Sequence, residues 1–167
     1  NIALCGDSAG GGICVSVAKR ASRDGVALRH LALIYPAVDP SCASASQQAL
    51  ADGPVLTQEA MRWFWSCYLG TAATFEADLL PLHPAYLNAI PPTTIVTAEY
   101  DLLKDEADMF ATAVKAHGID VAAKCFPGLI HAFLSLPASS PTTVAAFDFV
   151  CARLSAAFDT RPHSSKS

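Results

Sequence analysis

Charge is scarce in this chain of 167 residues. Only 16% of its residues are Asp, Glu, Lys or Arg, against about 25% in an ordinary soluble domain. No block of like charge occurs, and the formal net charge is only -4. That balance argues against a nucleic-acid partner and gives no basis for binding anionic membranes. No apolar run approaches the ~18 residues of a membrane span, so no membrane-spanning helix is predicted. The six cysteines (Cys5, Cys14, Cys42, Cys67, Cys125, Cys151) form no C-x-x-C pair. The five histidines (His30, His83, His117, His131, His163) show no H-x-x-x-H or Cys/His ligand spacing. Those absences argue against a zinc site. Several cysteines lie in apolar runs, which predicts buried free thiols and a reducing, cytoplasmic compartment. An initiator methionine is missing as well. The chain opens at Asn1 directly inside an apolar run, which suggests a C-terminal fragment of a longer protein.

What the chain has in quantity is apolar residues, 52% of the total. They fall in short runs that alternate with helix-compatible stretches, the pattern of a parallel α/β sheet buried on both faces. Strands are predicted over 2–5, 31–35, 93–98 and 121–126. Helices are predicted from Ser8 to about Ser22, over 58–69 with Thr57 as N-cap and Gly70 as C-terminal glycine, over about 104–117, and from Pro141 to Phe158. The spacing directs Ile13, Val17 and Ala21 of the first helix toward the sheet. In the last helix, Val144, Phe147, Val150, Cys151, Leu154 and Phe158 share one face. Residues 37–53 read as loop. The 58–69 helix carries Met61, Trp63, Phe64, Trp65 and Tyr68, too many aromatics for one buried face, so 37–80 is expected to contribute a cap or pocket wall. Residues 1–158 form a single domain on this reading, and 159–167 a polar, disordered tail. No internal repeat is visible.

The chemistry centres on Gly6-Asp7-Ser8-Ala9-Gly10, a G-x-S-x-G sequence between a predicted strand and a predicted helix. That context makes a nucleophile elbow, a sharp turn that lifts the serine hydroxyl clear of the sheet. Gly6 and Gly10 are expected where side chains would collide with the tightly folded backbone. The pentapeptide alone says little, since a random chain of this length carries it roughly one time in twenty. A glycine-rich turn gripping a phosphate is the bland reading. The partners decide between them.

In open parallel sheets, function gathers at the carboxyl ends of strands. Asp101 follows the third predicted strand and His131 the fourth. Ser8, Asp101 and His131 thus arrive in the Ser…Asp…His order of α/β-hydrolases. A serine hydroxyl needs a base, which His131 would supply, and Asp101 would orient the imidazole. Asp101 could also simply cap the following helix. Asp105, Glu106 and, less favoured, Glu99 are rival acids.

The elbow extends to Gly11, and Tyr35-Pro36 follows the second strand. Pro91-Pro92 precedes the third, Glu99 to Glu106 reads E-Y-D-L-L-K-D-E, and His131-Ala132-Phe133 follows the fourth. Together these motifs resemble the hormone-sensitive-lipase-like esterases (family IV carboxylesterases) of the α/β-hydrolase fold. That family's usual forms are G-D-S-A-G-G, D-P-L-x-D-E and H-G-F, so Leu102 for proline and Ala132 for glycine depart from it. The resemblance covers residues 1 to about 158 and implies the C-terminal half of such a fold, with flanking helices and part of a cap. It implies Ser8, Asp101 and His131 as catalytic residues, a small-molecule acyl ester of short to medium chain as substrate, and no metal or organic cofactor. The family's H-G-G-G segment, which supplies most of the oxyanion hole, does not occur in these 167 residues. The Ala9 backbone N–H is the oxyanion donor that remains. Impaired turnover and a tendency to aggregate are therefore expected of the chain alone. Two other activities fit the same scaffold. One is a non-catalytic small-molecule receptor, as in plant gibberellin receptors, which lack the histidine; the other is an amidase or deacetylase.

Overall fold

Each strand of the sheet is parallel to its neighbour and lies beside the strand that precedes it in the chain. The computed structural model describes residues 1–70, 76, 80–136 and 140–159. Its strands are β1 (Ala3–Asp7), β2 (His30–Ile34), β3 (Thr93–Tyr100) and β4 (Val121–Ile130), in the sheet order β1-β2-β3-β4. Leu4 stands opposite Leu31, Leu31 opposite Thr93, and Thr93 opposite Val121. The helices are α1 (Ala9–Arg23), α2 (Ala45–Ala49), α3 (Gln58–Leu69), α4 (Lys104–Lys115) and α5 (Pro141–Asp159).

The β2 sequence His-Leu-Ala-Leu-Ile is buried at every position because helices cover both faces. Leu31 and Leu33 pack with Val15 and Ala18 of α1 and with Phe110 and Val114 of α4. Ala32 and Ile34 point the other way, into a cluster with Ala146 and Val150 of α5. Two-sided burial is what a continuous apolar run means in a parallel strand. Each large side chain so buried contributes about 1.5–3 kcal/mol. Pro127 lies within β4 where the pairing with β3 is interrupted between Phe126 and Ile130, so its missing N–H costs no ladder bond there.

The helix faces differ from those the spacing predicts. In α1, the buried residues are Gly11, Gly12, Val15, Ala18 and Lys19, while Ile13 and Val17 are 47% and 45% exposed. The helix approaches its neighbours so closely that small residues carry the contact, and the bulky ones turn outward. Lys19 is fully buried, and its Nζ donates to the carbonyls of Leu80 (2.8 Å) and His83 (2.7 Å). In α5 the buried face is Thr143, Ala146 and Val150, with Val144, Phe147 and Phe158 exposed. Phe147, Cys151 and Leu154 instead line an open groove of about 500 Å³ together with Cys5 and Phe133. That groove runs beside β1, which among the described residues is paired on one side only.

Other expectations change in detail. Residues 37–53 contain α2, capped by Ser44, whose side chain accepts from the Gln47 N–H. The thiols are free, but only Cys42 is buried; Cys5, Cys67, Cys125 and Cys151 are exposed. Thr57 does cap α3, accepting from the Ala60 N–H, and Gly70 closes it at φ 57°. Of the predicted tail, Asp159 ends α5 and 160–167 lie outside the described residues. No described helix is long and apolar enough to cross a membrane.

Candidate active site

The turn from β1 into α1 places Ser8 in a conformation few residues adopt, φ 50° and ψ -123°. A non-glycine residue there costs roughly 1–3 kcal/mol and must be held from outside. The end of β2 does the holding. Ser8 N–H donates to the Ile34 carbonyl (2.9 Å), and the Ser8 carbonyl accepts from Ala37 N–H (3.0 Å) and Gly11 N–H (3.0 Å).

The glycines around the turn do not share one role. A Cβ on Gly6 would run into the Gly10 carbonyl, so the expectation for Gly6 stands. Gly10 is different: its nearest neighbour would be Asp7 Oδ1 at 3.9 Å, ordinary contact. The close approaches fall at Gly11, where a Cβ would meet Pro36 Cβ at 2.6 Å, and at Gly12, against the Ala37 carbonyl. Space at Gly10 is open because that part of α1 faces away from the 36–37 segment.

Asp101 follows β3 and His131 follows β4, and both side chains are buried. His131 Nδ1–H donates to Asp101 Oδ2 at 2.7 Å, and Ser8 Oγ lies 3.0 Å from His131 Nε2. The other carboxylate oxygen, Asp101 Oδ1, accepts from Leu103 N–H at 2.9 Å. The start of α4 and the imidazole are therefore held by different oxygens of one side chain, so capping and orienting are compatible. Ala132 has φ 60°, in the left-handed region that favours glycine. This accounts physically for the glycine in the H-G-F form.

The rival acids lie elsewhere. Glu99 is exposed and accepts from Gly128 N–H at 2.8 Å. Asp105 accepts from Ser46 N–H at the start of α2. Glu106 is fully buried and accepts from Val38 N–H (2.8 Å), Asp39 N–H (3.2 Å) and Gln47 Nε2 (3.1 Å). Burial pushes its carboxyl up to about 7, against those three donors; the Asp39 charge adds to the rise, and the Cys42 thiol also faces it. A pKa raised in the folded state means stability that is complete below the ordinary value of 4.5 and is lost as pH rises through about 7. Glu106→Gln removes that titration, and its amide can donate to Gln47 Oε1, which is buried without a hydrogen-bond partner. The variant should gain on the parent between pH 5 and pH 8 by on the order of 3 kcal/mol, at roughly 1.4 kcal/mol per tenfold change in proton affinity. Urea melts at the two pH values measure this, and an equal difference at both would contradict it.

Ser8 opens into a cavity of about 580 Å³ walled by Ile13, Leu56, Met61, Phe64, Trp65 and Tyr68. Among the described residues, no side chain lining it is charged. The apolar side chains of α3 divide between core and cavity. Met61 and Trp65 pack into a cluster with Ala37, Leu102 and Leu103, while Phe64 and Tyr68 are half exposed at the cavity wall. Pro81, on the same wall, lies in the segment that Lys19 grips. Ala9 begins α1, where the first N–H groups have no partner within the helix. Among the described residues no group of His, Cys, Asp and Glu could hold a metal ion.

Comparison with known proteins bears on the fold and the family. A family described as having the alpha/beta hydrolase fold matches residues 1–135. Ethyl acetate hydrolase of Pseudomonas putida is 31% identical over 142 residues, which are 81% of this chain and 43% of that protein. Carboxylesterase NlhH of Mycobacterium tuberculosis is 32% identical over 152 residues, 85% of this chain and 47% of that one. The crystal structure of a thermostable esterase from Pseudomonas putida superposes with a TM-score of 0.89 at 33% identity, covering 95% of this chain and 52% of the other. The chain thus spans about half the length of the relatives it matches.

Proposed function

The chain belongs to the α/β-hydrolase fold family, in its hormone-sensitive-lipase-like branch, and from that premise we propose that it carries the catalytic triad of a serine carboxylesterase. One observation carries the reading: the unbroken hydrogen-bond path from Asp101 through His131 to Ser8 at the mouth of an apolar cavity. Ser8 Oγ attacks the ester carbonyl carbon while His131 Nε2 takes the hydroxyl proton. Asp101 holds the imidazole and stabilises the imidazolium. The tetrahedral oxyanion faces Ala9 N–H. Collapse breaks the bond to the alcohol, which leaves with the proton from His131. Water then attacks the acyl-enzyme, His131 takes its proton, and the acid leaves as that proton returns to Ser8. No metal or organic cofactor enters the cycle. The uncharged wall formed by Met61, Phe64, Trp65 and Tyr68 suits a short- to medium-chain acyl group.

With Ala9 N–H as its oxyanion donor, these 167 residues alone are expected to acylate and turn over slowly, since each missing donor costs about 10²–10³ in rate. A biotinylated fluorophosphonate tests the assignment without requiring turnover. Peptide mapping should find the label on Ser8, and His131→Ala should reduce labelling to background. Label elsewhere, or none, would favour an inert binding protein on this scaffold.

A further inference from the structure

Tyr35 is the largest side chain among the described residues with no exposed surface, and it takes no part in the proton transfers above. It sits immediately after β2 at φ 37°, a strained value for a tyrosine, pinned by its N–H to the Val96 carbonyl at 2.6 Å. Its ring lies 4.9 Å from the His131 imidazole in an edge-on arrangement, and 5.0 Å from Phe133 in another. Both distances are within the range of favourable aromatic pairing. Its hydroxyl donates to Asp7 Oδ2 at 3.3 Å, one residue before Ser8. The same oxygen accepts from the backbone N–H of Leu134, three residues after His131. Burial first, and the Asp7 charge second, hold the phenol above its ordinary range, so the hydroxyl keeps the proton it gives Asp7.

From this placement we infer that Tyr35 is a positioning residue that fixes His131 against Ser8. The inference rests on Ser8 and His131 being nucleophile and base. Two parts of the side chain act separately. The ring walls the imidazole, which Asp101 holds at Nδ1 alone and which would otherwise be free to swing from Ser8. The hydroxyl ties the segment carrying the nucleophile to the segment carrying the base. These segments lie far apart in the chain and have no strand pairing between them, because β1 and β4 occupy opposite edges of the sheet. Tyr35 bridges that gap from the middle.

Inactivation of the 167-residue chain by the same fluorophosphonate separates the two roles. Tyr35→Leu should lower the limiting inactivation rate about 50-fold, as expected when a base is displaced by around an ångström, with the half-saturating probe concentration unchanged. Tyr35→Phe keeps the wall and loses the tie, so it should recover most of the rate, to within about fivefold of the parent, the worth of one hydrogen bond. Asp7→Ala should match Tyr35→Phe, and the double variant should fall no further. Phe110→Leu, in the core under α4, supplies a variant of comparable melting loss that should label at the parental rate. Parental rates in both Tyr35 variants would overturn the role of Tyr35 alone. So would an equal rate loss in Phe110→Leu, which would reduce Tyr35 to a packing residue. If Tyr35→Leu does not fold, Tyr35→Phe and its cycle with Asp7→Ala still decide, since additive losses would refute the tie. Absence of Ser8-dependent labelling in the parent would remove the nucleophile–base pair itself, and the inference with it.

Discussion

Ser8→Ala should abolish hydrolysis of a p-nitrophenyl ester while leaving the protein as stable as before. The two halves of that result come from different physics. Alanine keeps the Cβ, so the strained φ of 50° costs the variant what it costs the parent. The braces on this residue are backbone bonds, to Ile34 and from Ala37 and Gly11, and none involves the hydroxyl. The lost group is Oγ, whose only described bond is with His131 Nε2 at the cavity mouth, where water can replace it. Chemistry, by contrast, loses its covalent intermediate. Nucleophile and base act as a unit, so the drop should be about 10⁴-fold or more, and Ser8→Ala/His131→Ala should be no slower than Ser8→Ala. Stopped assays with p-nitrophenyl acetate and a thermal melt measure both. Turnover surviving in the variant would remove Ser8 from the mechanism.

The second large effect is steric. Gly12→Ala would set a methyl group against the Ala37 carbonyl, a backbone atom that cannot rotate away. Ala37 donates its N–H to the Ser8 carbonyl, so pushing it outward loosens the elbow as well. Overpacking of this kind costs about 3 kcal/mol or more, a melting loss of roughly 6–12 °C at this size. Gly10→Ala makes the contrast. There the methyl group meets ordinary contact space, and the change to a better helix former should be neutral or gain up to ~1 kcal/mol. Circular-dichroism melts of the pair decide it. Similar melting points would mean that the helix and the 36–37 segment are not as close as described.

That pair shows where sequence reading ends. Ser8, Asp101 and His131 could be found because each follows an apolar run, and strand ends in a parallel sheet share one edge. The roles proposed for them rest on chain order and proton chemistry. Gly12 could not be singled out, because its constraint is a carbonyl 25 residues away, brought near by the end of β2. The α1 face was misplaced for the same reason. Spacing weights bulky residues, whereas Gly11 and Gly12 meet the 36–37 segment and Val15 and Ala18 pack against Leu31 and Leu33. Lys19 had no local sign of burial, since its acceptors are carbonyls at Leu80 and His83. Glu106 was noticed for its neighbours in the chain, as a rival to Asp101, and its actual partners come from 38, 39 and 47. Tyr35 was part of a recognisable dipeptide, but its partners lie on β1 and after β4. Patterns within about one turn or one strand were legible; contacts between elements of distant sequence were not.

Strand order gives the site a history as well as a shape. Because β1, β2, β3 and β4 stand side by side in the order they are made, each can dock onto a neighbour already present as the chain leaves the ribosome. With the roles proposed above, the nucleophile is laid down before its brace at residues 34–37, the orienting acid after both, and the base after the acid. Until residue 131 emerges, Ser8 is an ordinary alcohol. On that reading the serine of a growing chain becomes reactive only after β4 has joined the sheet and delivered residue 131.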